Sequence, residues 1–204
     1  MKTLFFTLSL LIGCQATKVD VDEGSTGPDE STGAPEVYLE PVGVITADDC
    51  QHIDIGDKPC NFRLTDQDGK TWDLYEHEGD VIVIDFSTVW CYPCQMAAQH
   101  TQPIQDEFEA SGVHFVTILI DGPTHGTPPI SSDIDLWVTT HNITTAPVLE
   151  GSRDKMIDET GAGTEGYILG GFPTYIYIGR DMKFIGGHVG FSNEYIREKI
   201  EEAI

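Results

Sequence analysis

The sequence predicts an α/β domain of three layers, in which helices cover both faces of a central sheet. Two segments, "VIVIDFS" (residues 81–87) and "VHFVTILI" (residues 113–120), are runs of apolar and β-branched residues. Such runs are typical of strands that are covered on both faces. A segment suited to a helix lies between them, and two further strands and an amphipathic helix close the chain. Strands that alternate with helices and then end in a hairpin and a helix indicate this architecture.

The elements around the buried strands follow from local signals. "PCNFRLTDQDGKTWDLYE" (residues 59–76) predicts a β-hairpin, because two short β-like pieces flank the turn signal "DQDG". Residues 94–110 suit a helix, and Pro103 predicts a kink or an interruption in it. The segment "SSDIDLWVTTH" predicts another helix, with Ser132 and Asp135 at the spacing of a capping box.

The last third of the chain predicts three strands and a helix. "APVLE" suits a third strand, and "TYIYIG" and "KFIGGHVG" predict two more, separated by "GRD". Asn193 to Ala203 predicts a closing amphipathic helix that is capped by Ser192.

Composition and charge limit the class of function. The chain has 204 residues, 40% of them hydrophobic, which is enough for one domain with a substantial core and some additional segments. It carries 34 acidic against 11 basic residues, a formal net charge of −23. Nucleic acid would be repelled by such a surface, so we expect no nucleic-acid partner and a neutral or cationic partner site.

The N-terminus resembles a bacterial export signal. Lys2 precedes a short apolar run, Thr3 to Ile12, whose ten residues at about 1.5 Å each cannot cross a hydrocarbon core of about 30 Å. This predicts a signal peptide over residues 1–13. The following "LIGC" resembles the lipobox of bacterial lipoproteins, which implies a lipid on Cys14 and attachment to a membrane. An ordinary signal peptide, in which Cys14 is incidental, is the alternative.

Residues 14–44 predict a disordered tether between the lipidated cysteine and the folded domain. From residue 15 this segment holds seven acids and one lysine, with the imperfect repeat "EGSTGP" and "ESTGAP". Such a composition cannot bury enough apolar surface to offset the chain entropy. The folded domain is therefore predicted over residues 45–204, in an oxidising compartment outside the cytoplasm, the periplasm or the cell surface.

The motif "WCYPC" places Cys91 and Cys94 two residues apart, between a buried strand and a helix. A zinc site needs about four ligands, but Cys50 and Cys60, with His52 nearby, form no second tight pair. A structural disulfide between neighbours this close would remove little chain entropy. A redox dithiol explains the order of strand, motif and helix, because unpaired N–H groups at a helix N-terminus stabilise a thiolate.

On these residues the sequence resembles the thioredoxin superfamily, and within it the membrane-tethered TlpA/ResA-like proteins. "VIVIDFSTVWCYPC" resembles the family's strand and W-C-x-x-C motif, and "GGFPTYIYIGRDMKF" resembles its proline signature. The resemblance covers residues 45–204. It implies a thioredoxin-like α/β/α fold with an N-terminal β-hairpin, and residues 121–171 are long enough for the extra helix and strand that this branch inserts before the cis-proline.

The resemblance also implies roles for individual residues. Cys91 is expected to be the exposed nucleophile and Cys94 the resolving thiol. Asp85 lies where thioredoxins have a buried acid that takes the proton of the second cysteine; a solvated or capping aspartate is the alternative. Pro173 is expected in the cis form facing the dithiol, with the backbone of Phe172 available to a bound peptide.

Three side chains near the motif are candidates for partner contact. Trp90 resembles the family's aromatic residue beside the site, although packing in the core would also explain it. Tyr92 is particular to this chain, and Phe172 departs from the smaller residue that the family usually has before the proline. We also expect a structural disulfide between Cys50 and Cys60, which would add about 2–3 kcal/mol.

The function expected is a thiol-disulfide oxidoreductase that reduces disulfides in extracytoplasmic protein partners. A disulfide oxidase or isomerase is the main alternative, but no histidine lies between the cysteines to stabilise a thiolate. Thr88 is a weak indication of a thiol peroxidase. It is weak because Ile84 stands where such an enzyme is expected to have a proline. A copper-binding module is a further alternative. No histidine pair shows ligand spacing, so neither a metal nor a cofactor is expected, and the sequence names no electron donor.

Overall fold

The computed structural model describes residues 39–45, 54–157, 166–167 and 169–204, and these form one mixed sheet flanked by helices. Along the sheet the strands run β1 (Gly43–Ile45), β2 (Asn61–Asp66), β6 (Val148–Glu150), β5 (Val113–Asp121), β4 (Val81–Thr88), β7 (Thr174–Ile178) and β8 (Phe184–Val189), and β3 (Thr71–Asp73) pairs with β2. The predicted thioredoxin-like α/β fold is confirmed.

Strand β4 is the centre of the sheet. All eight of its residues are buried, as the sequence predicts for a strand covered on both faces. It pairs in parallel with β5 and antiparallel with β7, so the carboxyl end of β4 lies beside the start of β7. This arrangement brings the residues after β4 close to the residues just before β7.

The predicted hairpin is formed by β2 and β3, which pair antiparallel. Its turn depends on Asp66, whose Oδ1 accepts hydrogen bonds from the backbone N–H groups of Asp68 and Lys70, and on Gly69, which has a φ of +76°. Strand β1 pairs with β2 and begins at Gly43, two residues before the predicted start of the folded domain.

The helix after β4 is interrupted, as predicted, but the interruption precedes Pro103. Helix α1 spans Tyr92–Ala98 and helix α2 spans Thr101–Phe108, with Gln99 and His100 between them. Pro103 lies in the first turn of α2, where a missing N–H group removes no intrahelical hydrogen bond.

The predicted cap of the next helix is wrong. Helix α3 spans Ser131–His141, so the capping position is Ile130 rather than Ser132. Asp133 supplies the bond, because its Oδ2 accepts from the backbone N–H of Ile130 at 3.0 Å. The carboxylate of the third helical residue therefore accepts the hydrogen bond of the N–H group of the capping residue.

The inserted helix and strand are α3 and β6, and they lie between β5 and Pro173 as predicted. Two further helices are α4 (Arg153–Met156) and α5 (Asn193–Ala203). Ser192 caps α5 through its Oγ, which accepts from Tyr195 N, so this predicted cap is confirmed.

Helices lie on both faces of the sheet. On one face, side chains of α2 and α5 pack on Val83 and Phe115, while α1 and α3 pack on Leu119. On the other face, Met156 of α4 and the aromatic rings of the hairpin pack on alternate residues of β4. Among the residues that the structure describes, no helix is both long and apolar enough to cross a membrane.

Candidate functional site

The two cysteines of the motif form a disulfide at the start of α1. Cys91 is the N-cap residue of α1, and Cys94 lies one turn along it, with a Cα–Cα distance of 5.2 Å. The backbone N–H of Cys94 donates to Cys91 Sγ at 3.3 Å. Once the disulfide is reduced, this amide and the positive end of the helix dipole stabilise a thiolate at Cys91.

The two sulfurs differ in their access to solvent. Cys91 keeps 4% of its surface exposed, and Cys94 is completely buried. Of the two cysteines, Cys91 is the one that solvent reaches, as expected for the nucleophile. In the disulfide form most of its surface is nevertheless covered. Pro93 lies in the first turn of α1, where it removes no intrahelical donor.

The segment before β7 faces the dithiol. The Phe172–Pro173 peptide bond is cis, as the resemblance implies, and the carbonyl oxygen of Phe172 lies 3.6 Å from Cys91 Sγ. Thr174 fixes the segment, because its hydroxyl donates to the carbonyl of Gly171 at 2.6 Å. The structure thus brings Cys91 and Pro173 together across 82 residues of sequence, through the pairing of β4 with β7.

A buried carboxylate holds Trp90 in place. The indole Nε1–H of Trp90 donates to Asp121 Oδ2 at 2.9 Å, and the Gly126 N–H donates to the same oxygen at 3.0 Å. A register shift in the pairing of β4 with β5 sets Asp121 opposite Thr88, at the carboxyl edge of the sheet. Trp90 is 39% exposed, so the alternative of a core tryptophan is not what the structure has.

Arg153 neutralises this carboxylate and also contacts the residue before the cis-proline. Its Nε and Nη2 donate to the two oxygens of Asp121 at 2.8 and 2.7 Å. Its guanidinium carbon lies 5.7 Å from the centre of the Phe172 ring, which is within the range of a cation–π contact. Burial acts to raise the pKa of Asp121, but the bonds from Arg153, Gly126 and Trp90 outweigh it and hold the pKa below the ordinary value.

Sequence reasoning missed both members of this ion pair. Asp121 ends the second buried strand, and a charged residue at the carboxyl end of such a strand is a signal that points to the site edge. Arg153 gives no such signal, because its partner lies 32 residues earlier.

Asp85 lies inside the sheet, completely buried on β4 between its register partners Thr117 and Tyr175. Its Oδ1 accepts a hydrogen bond from Ser87 Oγ at 2.7 Å, while its Oδ2 has no hydrogen-bond partner among the described residues. Burial raises the pKa of Asp85 to about 7, against a smaller lowering by Ser87. A solvated or capping aspartate is therefore not what the structure has at this position.

Large apolar side chains in and beside the motif are exposed or half-buried. Tyr92 is 69% exposed, Met96 is 43% exposed, and Phe172 is half-buried with its ring edge-on to Trp90. Large exposed apolar side chains that surround a reactive group favour contact with a protein partner.

Several predicted residues lie elsewhere. Cys14 and Cys50 are outside the described residues, and Cys60 is buried beside the hairpin, so the lipid on Cys14 and the Cys50–Cys60 disulfide stay predictions. His77, Asp80 and His114 form one cluster of metal-ligating groups in the described part of the chain. The sequence search missed it because the two histidines are 37 positions apart.

Known proteins resemble this chain in sequence. The model of the AhpC/TSA family matches residues 55–185. The chain is 25% identical over 153 residues to the thiol-disulfide oxidoreductase ResA of a Bacillus cereus strain, covering 75% of this chain and 78% of that protein. It is 24% identical over 149 residues to the ResA of Halalkalibacterium halodurans, covering 73% and 76%.

Solved structures agree in fold. A Chlorobium tepidum protein described as a thiol:disulfide interchange protein DsbE matches with a TM-score of 0.58 and 25% identity, covering 74% of this chain and 98% of that one. The exposed lipoprotein thioredoxin Etrx1 of Streptococcus pneumoniae matches with a TM-score of 0.56 and 24% identity, covering 70% and 98%.

Replacing Asp85 by asparagine should change the pH dependence of stability. The folded-state pKa of about 7 lies above the ordinary 3.8, so between these values the folded protein binds the extra proton. Stability from this group is therefore lost as the pH rises from about 4 to 7. We expect Asp85→Asn to be more stable than the wild type at pH 8 by roughly a few kcal/mol, measured by urea unfolding, and the gain to shrink towards pH 4.

Ser87→Ala is the matched control for this measurement. It removes the hydrogen bond that lowers the pKa of Asp85, so the pH-dependent loss of stability should extend to higher pH. A difference between Asp85→Asn and the wild type that stays the same from pH 4 to pH 8 would show that Asp85 does not titrate in this range.

Replacing Arg153 by methionine should lower the free energy of unfolding. Asp121 would lose its cationic partner while its side chain stays buried, and breaking such a pair costs about 3 kcal/mol at pH 7. The loss should diminish in acid, because protonation of Asp121 removes the unpaired charge. Urea unfolding at pH 7 and pH 4 measures it. Lys183→Met, which breaks an exposed pair with Asp181, is the control and should cost less than about 1 kcal/mol.

Proposed function

The chain belongs to the AhpC/TSA family, and from this premise we propose that its Cys91–Cys94 dithiol reduces disulfide bonds in extracytoplasmic partner proteins. The protein is a thiol-disulfide oxidoreductase, the class of its ResA relatives. The observation that carries the finer proposal is the geometry of one sulfur: Cys91 Sγ lies at the N-terminus of α1, against the carbonyl of Phe172.

The proposed reaction is an exchange of disulfides. In the reduced protein the Cys91 thiolate attacks a sulfur of the partner's disulfide, and the other sulfur of the partner leaves as a thiolate that takes up a proton. Cys94 then loses its proton and attacks Cys91 Sγ, which releases the partner as a dithiol and leaves the Cys91–Cys94 disulfide. Two electrons pass to the partner, and an external dithiol must return them before the next cycle.

Asp85 is proposed to take the proton of Cys94 in the second step. A carboxyl group with a pKa of about 7 is half-ionised near neutral pH, so it can both accept and release a proton there. Trp90, Tyr92 and Phe172 are proposed to contact the partner, and the segment at Pro173 to position it.

The direction of electron flow is proposed from the charges around the dithiol. A stabilised thiolate favours the reduced form and makes a dithiol oxidising. In the described part of the chain, Cys91 Sγ has polar contacts with Cys94 N and Phe172 O, and neither group is cationic. Residues 45–204 carry 27 acids and 9 bases, a net charge of −18, which disfavours a further negative charge. The start of α1 stabilises the Cys91 thiolate, but these two features limit that stabilisation and so favour a reducing dithiol.

The relatives also bear on location. One matched structure is that of an exposed lipoprotein, and the "LIGC" segment is consistent with the same anchoring here. We therefore propose that this protein works outside the cytoplasm, held at a membrane by a lipid on Cys14 and a tether that ends before β1.

The reduction potential of the Cys91–Cys94 pair in the full chain tests the proposal. Equilibration against dithiothreitol or glutathione buffers should give a two-electron transition near or below about −270 mV, which is the range of a reductant. The Cys94→Ala variant is the control, because one thiol cannot form the pair and the transition should disappear. A potential between about −120 and −180 mV would mean that the protein is an oxidase or isomerase instead.

A further inference from the structure

A second cluster of chemically active side chains lies at the edge of the sheet opposite the dithiol. His77 ends a 3₁₀ turn after β3, Asp80 immediately precedes β4, and His114 is the second residue of β5. Cys91 follows the other end of β4, and eight strand residues at about 3.3 Å each separate the two edges by about 26 Å. The proposed reaction uses none of these three residues.

The three side chains converge. One ligand atom from each of His77, Asp80 and His114 lies within 4.8 Å of the other two. His114 Nε2 is 2.9 Å from Asp80 Oδ2, and the rings of His77 and His114 are 4.5 Å apart, tilted by 55°. All three residues are half-buried, so the cluster is reachable from solvent while its members have neighbours that restrict them.

Packing orients His77 toward the other two. Its ring stacks on the indole of Trp72 with centres 4.5 Å apart and an angle of 18° between the planes. Trp72 is itself buried in the hairpin core. A histidine held by a fixed aromatic ring loses less rotational freedom when a ligand binds than a histidine in solvent.

Arg180 joins the two loops that carry the cluster. Its Nη1 donates to the carbonyl of Gly79 at 3.0 Å and its Nη2 to that of Ser111 at 2.7 Å. Gly79 precedes Asp80, and Ser111 lies three residues before His114, so these bonds fix the separation of Asp80 and His114. The guanidinium is occupied by the two carbonyls, and it forms no ion pair with Asp80 in the described part of the chain.

The donor set fits a transition-metal ion. Two imidazoles and one carboxylate suit divalent ions such as Zn²⁺, whose bonds to nitrogen and oxygen are about 2.0–2.2 Å. In tetrahedral geometry such bonds put ligand atoms about 3.3 Å apart. His114 and Asp80 are already near this separation, and the other pairs need a movement of at most about 1.5 Å, which side-chain rotation supplies. Water would fill the remaining position.

Charge also favours a cation here. The Asp80 carboxylate and the net charge of −18 on residues 45–204 attract a divalent ion to this edge.

We propose that His77, Asp80 and His114 form a binding site for a divalent transition-metal ion such as Zn²⁺, at the sheet edge remote from the dithiol. The bound ion would join the 3₁₀ turn after the hairpin to the starts of β4 and β5. This site is independent of the proposed reductase function, because it shares no residue with the dithiol.

Zinc titration of the oxidised full chain tests the proposal. Oxidation keeps Cys91 and Cys94 in their disulfide, so they offer no thiolate to the metal. After removal of metal with a chelator, isothermal titration calorimetry with Zn²⁺ at pH 7 should show one equivalent bound with micromolar or tighter affinity. His114→Ala and the isosteric Asp80→Asn should each weaken this binding by at least tenfold, since loss of an outer-shell partner alone costs about 10–100-fold.

His141→Ala is the matched control. The His141 ring packs on Trp137 at 4.6 Å, as the His77 ring packs on Trp72, but His141 belongs to no cluster of metal ligands in the described residues. Its removal should leave zinc binding unchanged. Circular dichroism of each variant establishes that it is folded, and a rise in the Tm of the wild type with Zn²⁺, smaller or absent in Asp80→Asn, is the second readout. Wild-type affinity in both His114→Ala and Asp80→Asn, or no zinc uptake by the wild type, would overturn the proposal.

Discussion

The complete burial of β4 is the constraint on which the rest of the structure depends. Its eight residues pack against helices on one face and against the hairpin and α4 on the other, with β5 and β7 as its hydrogen-bonded neighbours. Because β4 is packed on every side, the position of the residues that follow it is fixed. Cys91 therefore lies at the N-terminus of α1. Because β7 runs antiparallel to β4, the carbonyl of Phe172, just before β7, lies beside the sulfur of Cys91.

Two buried aspartates show how the surroundings of a carboxyl group decide its chemistry. Among the described residues, Asp85 accepts one hydrogen bond, from a hydroxyl, and burial raises its pKa to about 7. Asp121 is equally buried, but Arg153, Trp90 and Gly126 all donate to it, so it stays ionised. The first is suited to exchanging a proton. The second is suited to fixing side chains, because a permanent charge with satisfied oxygens holds its donors in one geometry.

The dithiol and the proposed metal ligands lie at opposite edges of the sheet because of the direction in which the strands run. The carboxyl end of β4 leads into the dithiol, whereas the amino ends of β4 and β5 carry Asp80 and His114. Parallel pairing of these strands puts both amino ends at the same edge, where the 3₁₀ turn after the hairpin adds His77. A ligand at that edge would act on the anchoring of the central strands rather than on the sulfur chemistry.

Local sequence patterns predict the strands β2 to β8, the hairpin, the cap at Ser192 and the position of the dithiol at a helix N-terminus, because these features follow from local periodicity and from residues a few positions apart. Strand β1 is not predicted, since its first two residues lie in the segment expected to be a tether. The same patterns misplace the cap of α3, where the carboxylate of Asp133 supplies the bond expected of Ser132. The contact of Arg153 with Asp121 and that of His77 with His114 depend on the folded sheet. Those pairs are 32 and 37 positions apart, and spacing along a chain carries no signal for side chains that meet only once the sheet has formed.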